Sequence, residues 1–267
     1  EIVRGWQSFL MAVAMAGAFS LVSSAFYLLN DVSDYEADRL HPVKRNRPIA
    51  AGLVSVRAAS TAAAVLFVVG LVPSVWMFAR HPDRWPMIAV VLGYSVMQIC
   101  YTGFLKRIPY VDVIVIAAGF VLRAMSGTTV LGVRLSPWLL ACAFSLSLFL
   151  ALCKRRHEKL VSEESRVALA GYRMPMLDML VASSAMVTLG LYVAYTLVPE
   201  TAQRYACGSA LAITAVPVAL GLVRYLYLTY SKADVGRPDK VLLSDKVLWA
   251  VIALYALSAA FVLLKGV

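Results

Sequence analysis

Charge is what this sequence has least of. Only 15% of its 267 residues are Asp, Glu, Lys or Arg, against about 25% in a typical soluble domain. With 61% hydrophobic residues and a mean hydropathy of +0.77, this excludes a disordered chain, a fibrous repeat and an ordinary soluble enzyme. Cysteine is scarce as well. Cys100, Cys142, Cys153 and Cys207 are scattered in apolar surroundings with no CxxC pair. That argues against a disulfide framework or a zinc site and for small packing residues. A glycine-rich dinucleotide motif is missing, and no stretch reads as a cleaved signal peptide.

Long apolar runs are what the chain does have. A membrane-spanning helix needs about 20 apolar residues, and eight such runs are present. They lie at approximately 6–29, 55–79, 86–104, 111–131, 136–153, 176–197, 205–226 and 246–265. The expected class is therefore all-α and polytopic in the membrane.

The net charge of +10 comes from 25 Lys and Arg against 15 Asp and Glu. In such a chain it reads as membrane orientation rather than nucleic-acid binding, because cytoplasmic loops collect Lys and Arg. Eighteen of the basic residues fall on the side reached after spans 1, 3, 5 and 7, and six on the other. Arg123 lies inside span 4. The basic side is expected to face the cytoplasm. The long polar segments follow spans 1 and 5, which suggests two four-helix halves with a polar segment at the same place in each.

The segment after span 1, residues 30–52, reads NDVSDYEADRLHPVKRNRPIAAG. Continued as a helix at about 100° per residue, Asn30, Asp34, Asp38 and Asp31 fall near 0°, 40°, 80° and 100°, on one face. Like charges so spaced destabilise a helix unless a cation neutralises them. Hard carboxylate and amide oxygens suit Mg²⁺, which keeps waters and bridges to phosphates. Lys44, Arg45 and Arg47 follow, between the His41-Pro42 breaker and Pro48. A basic turn facing a carboxylate face would hold a polyphosphate from both ends. The plainer readings are a solvated acidic helix end and ordinary basic anchoring at the membrane surface.

The pattern NDxxDxxxDRxHPxKxxRPIxxG resembles the first signature of the UbiA superfamily of intramembrane prenyltransferases. The resemblance implies nine helices ringed around a central cavity open to the cytoplasm. Aspartate-rich segments follow the second and sixth helices of that family. Here the polar segments 30–54 and 154–175 follow spans 1 and 5, so the family's first helix is expected upstream of Glu1, and residues 1–267 read as one domain. The second family signature is normally another aspartate-rich motif. This sequence departs from it with LCKRRHEKL at 152–160, where only Glu158 remains as an acidic ligand.

KRRHE, YRMPMLD at 172–178 and YTGFLKRIPYVDV at 101–113 resemble the decaprenyl-phosphate phosphoribosyltransferase branch. So does the segment carrying Gly236, Pro238 and Asp245. The resemblance implies transfer of 5-phosphoribose from phosphoribosyl diphosphate to a polyprenyl (decaprenyl) phosphate, supplying arabinan synthesis in a cell envelope. Asn30, Asp31, Asp34 and Asp38 would hold Mg²⁺, with the three aspartates catalytic. Lys44, Arg45, Arg47, Tyr101, Lys106, Asp112, Arg123, Lys154, Arg155, Arg156, His157, Glu158 and Tyr172 would bind substrates. Charge stabilisation of the departing diphosphate would develop oxocarbenium character on the ribose and invert C1. The partners are the donor, the lipid acceptor and the membrane, and an oligomer is compatible.

Two alternatives stand beside this reading. One is transfer of a prenyl group from its diphosphate to an aromatic acceptor. The other is an anion transporter, whose site would normally sit near the midplane and open to both faces. Asp178 reads equally as a helix cap or a pocket residue. Tyr192, Tyr195, Tyr225, Tyr227 and Tyr230 read as interfacial aromatics, and residues 232–245 as a lid.

Overall fold

The computed structural model describes residues 5–40, 44–80, 85–131, 136–161, 167–199, 201, 208–231, 241 and 243–265. Among these every regular element is helical. The helices are α1 (Gly5–Ser33), α2 (Tyr35–Leu40), α3 (Val56–Arg80), α4 (Trp85–Gly103), α5 (Val111–Leu131), α6 (Pro137–Val161), α7 (Val167–Ala170), α8 (Met174–Leu197), α9 (Ala215–Tyr230) and α10 (Lys246–Lys265). Eight stretches are long and apolar enough to cross a membrane, from Phe9–Ser33 to Lys246–Leu264. They match the eight expected runs. Their surfaces carry the exposed Val, Leu, Trp and Phe side chains that a lipid environment accepts.

The boundary differs from expectation at the second polar segment, while the first continues span 1 as a helix, as expected. The fifth span reaches Leu160 rather than 153, so Lys154–Lys159 is helix and not loop. Helical pairing likewise carries on past α1. The Asp34 amide donates to the Asn30 carbonyl at 2.9 Å and Asp38 to Asp34 at 2.8 Å. Both extensions persist because their polar side chains find partners three or four residues away. Asn30 Nδ2 donates to Asp34 Oδ2, and Arg155 pairs with Glu158.

The chain divides into two compact units, residues 1–135 and 136–267, with four of the eight spans in each. In the first, α1 packs on α3, α4 and α5. Its core gathers Met15, Phe19, Val22 and Phe26 of α1 with Met87, Val91 and Tyr94 of α4. In the second, α6 packs chiefly on α8, and α9 on α10. Phe149, Leu177, Val181 and Tyr225 are buried there, and the rings of Phe149 and Tyr225 meet edge to face at 5.7 Å. Tyr225 is thus a core residue rather than an interfacial one. Cys153 is buried and Cys100 and Cys142 are half-buried, all three unbridged. Cys207, His41-Pro42, Gly236, Pro238 and most of 232–245 lie outside the described residues.

Close approach of α1 and α3 depends on Gly70. A Cβ there would stand 2.8 Å from the Ala18 carbonyl oxygen and 2.8 Å from Val22 Cγ2. Helices in lipid associate by van der Waals packing, for which small residues are needed at the contact. Gly70→Val is therefore expected to destabilise the first unit by about 1–3 kcal/mol, read from the unfolding midpoint in detergent. Gly190→Val, where a Cβ meets nothing within 4 Å, is expected to change it far less.

Candidate active site

The acidic face forms at the C-terminal end of α1. Asn30 and Asp31 close α1, Asp34 marks the joint and Asp38 lies in α2. Two cations from elsewhere in the first unit meet them. Arg47 Nη1 donates to Asp31 Oδ1 at 2.7 Å and to Asp38 Oδ2 at 2.8 Å. Lys106 Nζ donates to Asp34 Oδ1 at 2.6 Å, Asn30 Oδ1 at 3.1 Å and Ser33 Oγ at 3.4 Å. The four residues expected to share one face do converge, and the side chains that neutralise them come from loops on either side of α3 and α4.

Local structure explains how each cation is delivered. Lys44–Asn46 is a 3-10 turn, and the chain then wraps tightly through Pro48. The Arg47 amide donates to the Lys44 carbonyl, and the Pro48 carbonyl accepts from Leu53 and Val54. Ile49 and Ala50 are buried beneath the wrap, and Gly52 closes it at φ +76°, the left-handed region that glycine adopts without strain. Lys106 rides on a second 3-10 turn, Leu105–Arg107, between α4 and α5. Tyr110, at φ 65°, redirects the chain into α5, whose first turn buries Asp112 completely. Arg45 is exposed, and Lys44 and Tyr101 are half-buried.

Deeper in the same unit lies a cavity of about 440 Å³ lined by Ala16, Phe19, Ser20, Ser23, Tyr27 and Arg123, among others. Arg123 donates to the hydroxyl of Tyr94 at 3.0 Å and of Tyr27 at 3.4 Å. Its guanidinium also lies 5.0 Å from the Phe120 ring centre. An arginine inside a span is costly, and here tyrosine oxygens and aromatic faces offset that cost. Tyr27, a lining residue, stands one turn before Asp31 on α1. Tyr94 and Tyr27 escaped sequence reading, since an aromatic in a span ordinarily reads as core.

The second unit gathers its charges at the end of α6. Arg155 is buried and paired with Glu158. Arg156 donates to Asp178 Oδ1 at 2.6 Å and to the Thr229 carbonyl at 3.1 Å, with its guanidinium 4.0 Å from the Tyr230 ring centre. Asp178, read as cap or pocket, is therefore an ion-pair partner. Lys154, His157 and Glu158 are half-buried, and Tyr172 is buried. The pair Arg224 Nη2–Asp245 Oδ2, at 2.7 Å, was not foreseen. Asp245 also caps α10 by accepting from the Leu248 amide at 2.8 Å. The Arg224 hydrogen bond holds the Asp245 carboxyl below the usual carboxylate range. This link is thus present at neutral pH and weakens only as pH falls through that lowered value.

The acidic face fits a hard divalent cation. Asp31 and Asp38 already converge on one positive centre, the Arg47 nitrogen, and their donors are the oxygens such a cation prefers. Among the described residues no three His, Cys, Asp or Glu side chains group around one point. The remaining ligands would come from Asn30, Asp34, water or substrate oxygens.

The UbiA prenyltransferase family model matches residues 3–245. The decaprenyl-phosphate phosphoribosyltransferase of Corynebacterium glutamicum is 35% identical over 236 residues, covering 86% of this chain and 69% of that protein. The protein of the same name from Mycolicibacterium smegmatis is 35% identical over 244 residues, covering 86% and 73%. Among solved structures, a UbiA homolog from Archaeoglobus fulgidus bound to DMAPP and Mg²⁺ aligns with a TM-score of 0.68 at 17% identity, over 95% of this chain and 87% of that one. That last likeness is one of fold. With eight spans and a family match over nearly its whole length, the chain belongs to the UbiA prenyltransferase family and is a multi-pass membrane transferase.

Proposed function

We propose that the chain transfers 5-phosphoribose from phosphoribosyl diphosphate to a polyprenyl phosphate, decaprenyl phosphate in the first instance, with release of diphosphate. The observation that carries this is the second polar motif. Where a prenyl diphosphate site would have a second set of acids, this chain has Lys154, Arg155 and Arg156, two of them held by ion pairs at the end of α6. One acidic and one basic motif suit a single metal-bound diphosphate plus further phosphates. The two 35% identical relatives named for this reaction support it.

In this reading Asn30, Asp31, Asp34 and Asp38 hold Mg²⁺, which supplies charge stabilisation for the departing diphosphate. Lys44, Arg45 and Arg47 bind that diphosphate, and Lys106 holds Asp34 in orientation. Tyr101 and Asp112, on either side of the Lys106 turn, complete the substrate contacts proposed there. Arg123 offers its guanidinium to the polar part of a substrate in the cavity beside α1. Lys154, Arg155, Arg156, His157, Glu158 and Tyr172 form or support the second phosphate site. The acceptor phosphate is already anionic, so it needs positioning rather than a general base. The charged ends face the cytoplasm, as the distribution of Lys and Arg supports, and the product would supply arabinan synthesis in the envelope.

The test is a calorimetric titration of the purified protein with phosphoribosyl diphosphate, with and without Mg²⁺. Metal-dependent binding, followed by turnover with a polyprenyl phosphate, is the expected result. The absence of binding, together with a Mg²⁺-dependent response to a prenyl diphosphate, would overturn it. That outcome would favour prenyl transfer from a diphosphate to an aromatic acceptor, the reading closer to the family's name.

A further inference from the structure

We infer that Arg47 is an exchangeable counter-ion of the acidic face: it occupies the cation position between Asp31 and Asp38 at rest and moves onto the diphosphate when metal and diphosphate arrive together. The inference rests on the reading of this face as a metal–diphosphate site and adds an order of events to it.

The two cations at the face are not equivalent. Lys106 is 9% exposed, contacts three acceptors and is set between α4 and α5. Removing it would leave Asp34 half-buried and uncompensated. Arg47 is 35% exposed and reaches both carboxylates with one terminal nitrogen. A guanidinium makes its strongest contacts as a two-pronged fork, a geometry that diphosphate oxygens offer and these two separate carboxylates do not. The backbone beneath Arg47 is fixed by the wrap over Ile49 and Ala50. Exchange therefore needs only a side-chain rotation, which is fast for a partly exposed residue.

Charge sets the order. Asp31, Asp38 and Arg47 together carry one negative charge. A divalent cation entering alone would meet a guanidinium already in its place. A diphosphate entering alone would meet the carboxylates. Together, each removes the other's obstacle: the diphosphate accepts Arg47, and the metal takes the vacated oxygens. Once the diphosphate leaves, Arg47 returns and displaces the metal, which couples release of the two.

Binding of Mn²⁺ alone to the full chain in detergent, followed by its electron paramagnetic resonance signal, tests this with no turnover. Arg47→Gln is expected to bind Mn²⁺ about tenfold more tightly than the unsubstituted protein. Inorganic diphosphate should tighten Mn²⁺ binding to the unsubstituted protein by at least about tenfold, within the usual range of such couplings, and by less in Arg47→Gln. Equal or weaker Mn²⁺ binding by Arg47→Gln overturns the inference while leaving the metal site intact. A coupling factor near one in the unsubstituted protein overturns it even if the variant does not fold. Failure of both proteins to bind Mn²⁺ with or without diphosphate overturns the metal reading and the inference with it. Failure of phosphoribosyl diphosphate to bind in the presence of the metal, while inorganic diphosphate still tightens Mn²⁺ binding, would instead count against the proposed donor.

Discussion

Asp34→Ala together with Asp38→Ala is expected to lower kcat/KM by at least about 10³-fold, the scale on which a dedicated group for developing charge acts in catalysis. Donor binding should lose its response to Mg²⁺ at the same time. The effect is large because the two residues serve different cations. Asp34 holds Lys106 at 2.6 Å, and Asp38, nearly buried, holds Arg47 at 2.8 Å. Removing both leaves two positive side chains at a helix end with Asp31 as the remaining carboxylate of the face. Diphosphate is then drawn in by charge alone, so binding and turnover should separate: weak, metal-independent association with little reaction. The Asp34→Asn, Asp38→Asn pair keeps shape and removes charge, and should fall nearly as far. Retention of Mg²⁺-dependent donor binding and turnover by either pair would remove these aspartates from the reaction. Full activity in EDTA would remove the metal.

Much of this face was legible in the sequence because it is local. A spacing of four residues at about 100° each puts Asn30, Asp34 and Asp38 on one side, and the structure keeps them there through backbone hydrogen bonds across the α1–α2 joint. The eight spans were legible for a different reason: apolar runs of that length have one stable environment. What escaped is mostly long-range. Lys106 meets Asp34 across 72 residues of sequence, and Arg123 meets Tyr94 across 29. Such pairs depend on which helix ends come together, and no periodicity records that. The sidedness of the loops narrows the choice, because the Lys106 turn and the acidic segment follow odd-numbered spans. It does not select the partner. The end of the fifth span was misjudged because Lys154–Lys159 is too charged to read as a membrane helix. Arg155–Glu158 and Arg156–Asp178 let the helix run on by satisfying its charges internally.

That internal satisfaction yields the second large effect. Arg155 is 1% exposed, and truncating it strips Glu158 of the guanidinium it pairs with at the end of α6, a costly loss for a buried ion pair. Arg155→Met is therefore expected to destabilise the second unit by about 3–5 kcal/mol, read as the unfolding midpoint in detergent against SDS fraction. Glu158→Gln should destabilise in the same direction, and less, since an amide still accepts a hydrogen bond. Arg155→Met with Glu158→Met should recover most of the loss, because well-packed apolar residues replace a buried pair at little cost. Lys154→Met provides the contrast: its side chain is half-buried and on the proposed reading it serves a phosphate, so it should raise KM with a small change in midpoint. The combination separates support from substrate binding within one motif. If Arg155→Met instead keeps the midpoint and raises KM, the guanidinium acts on substrate directly, and the pair with Glu158 is then a resting contact that gives way to a phosphate, as proposed for Arg47.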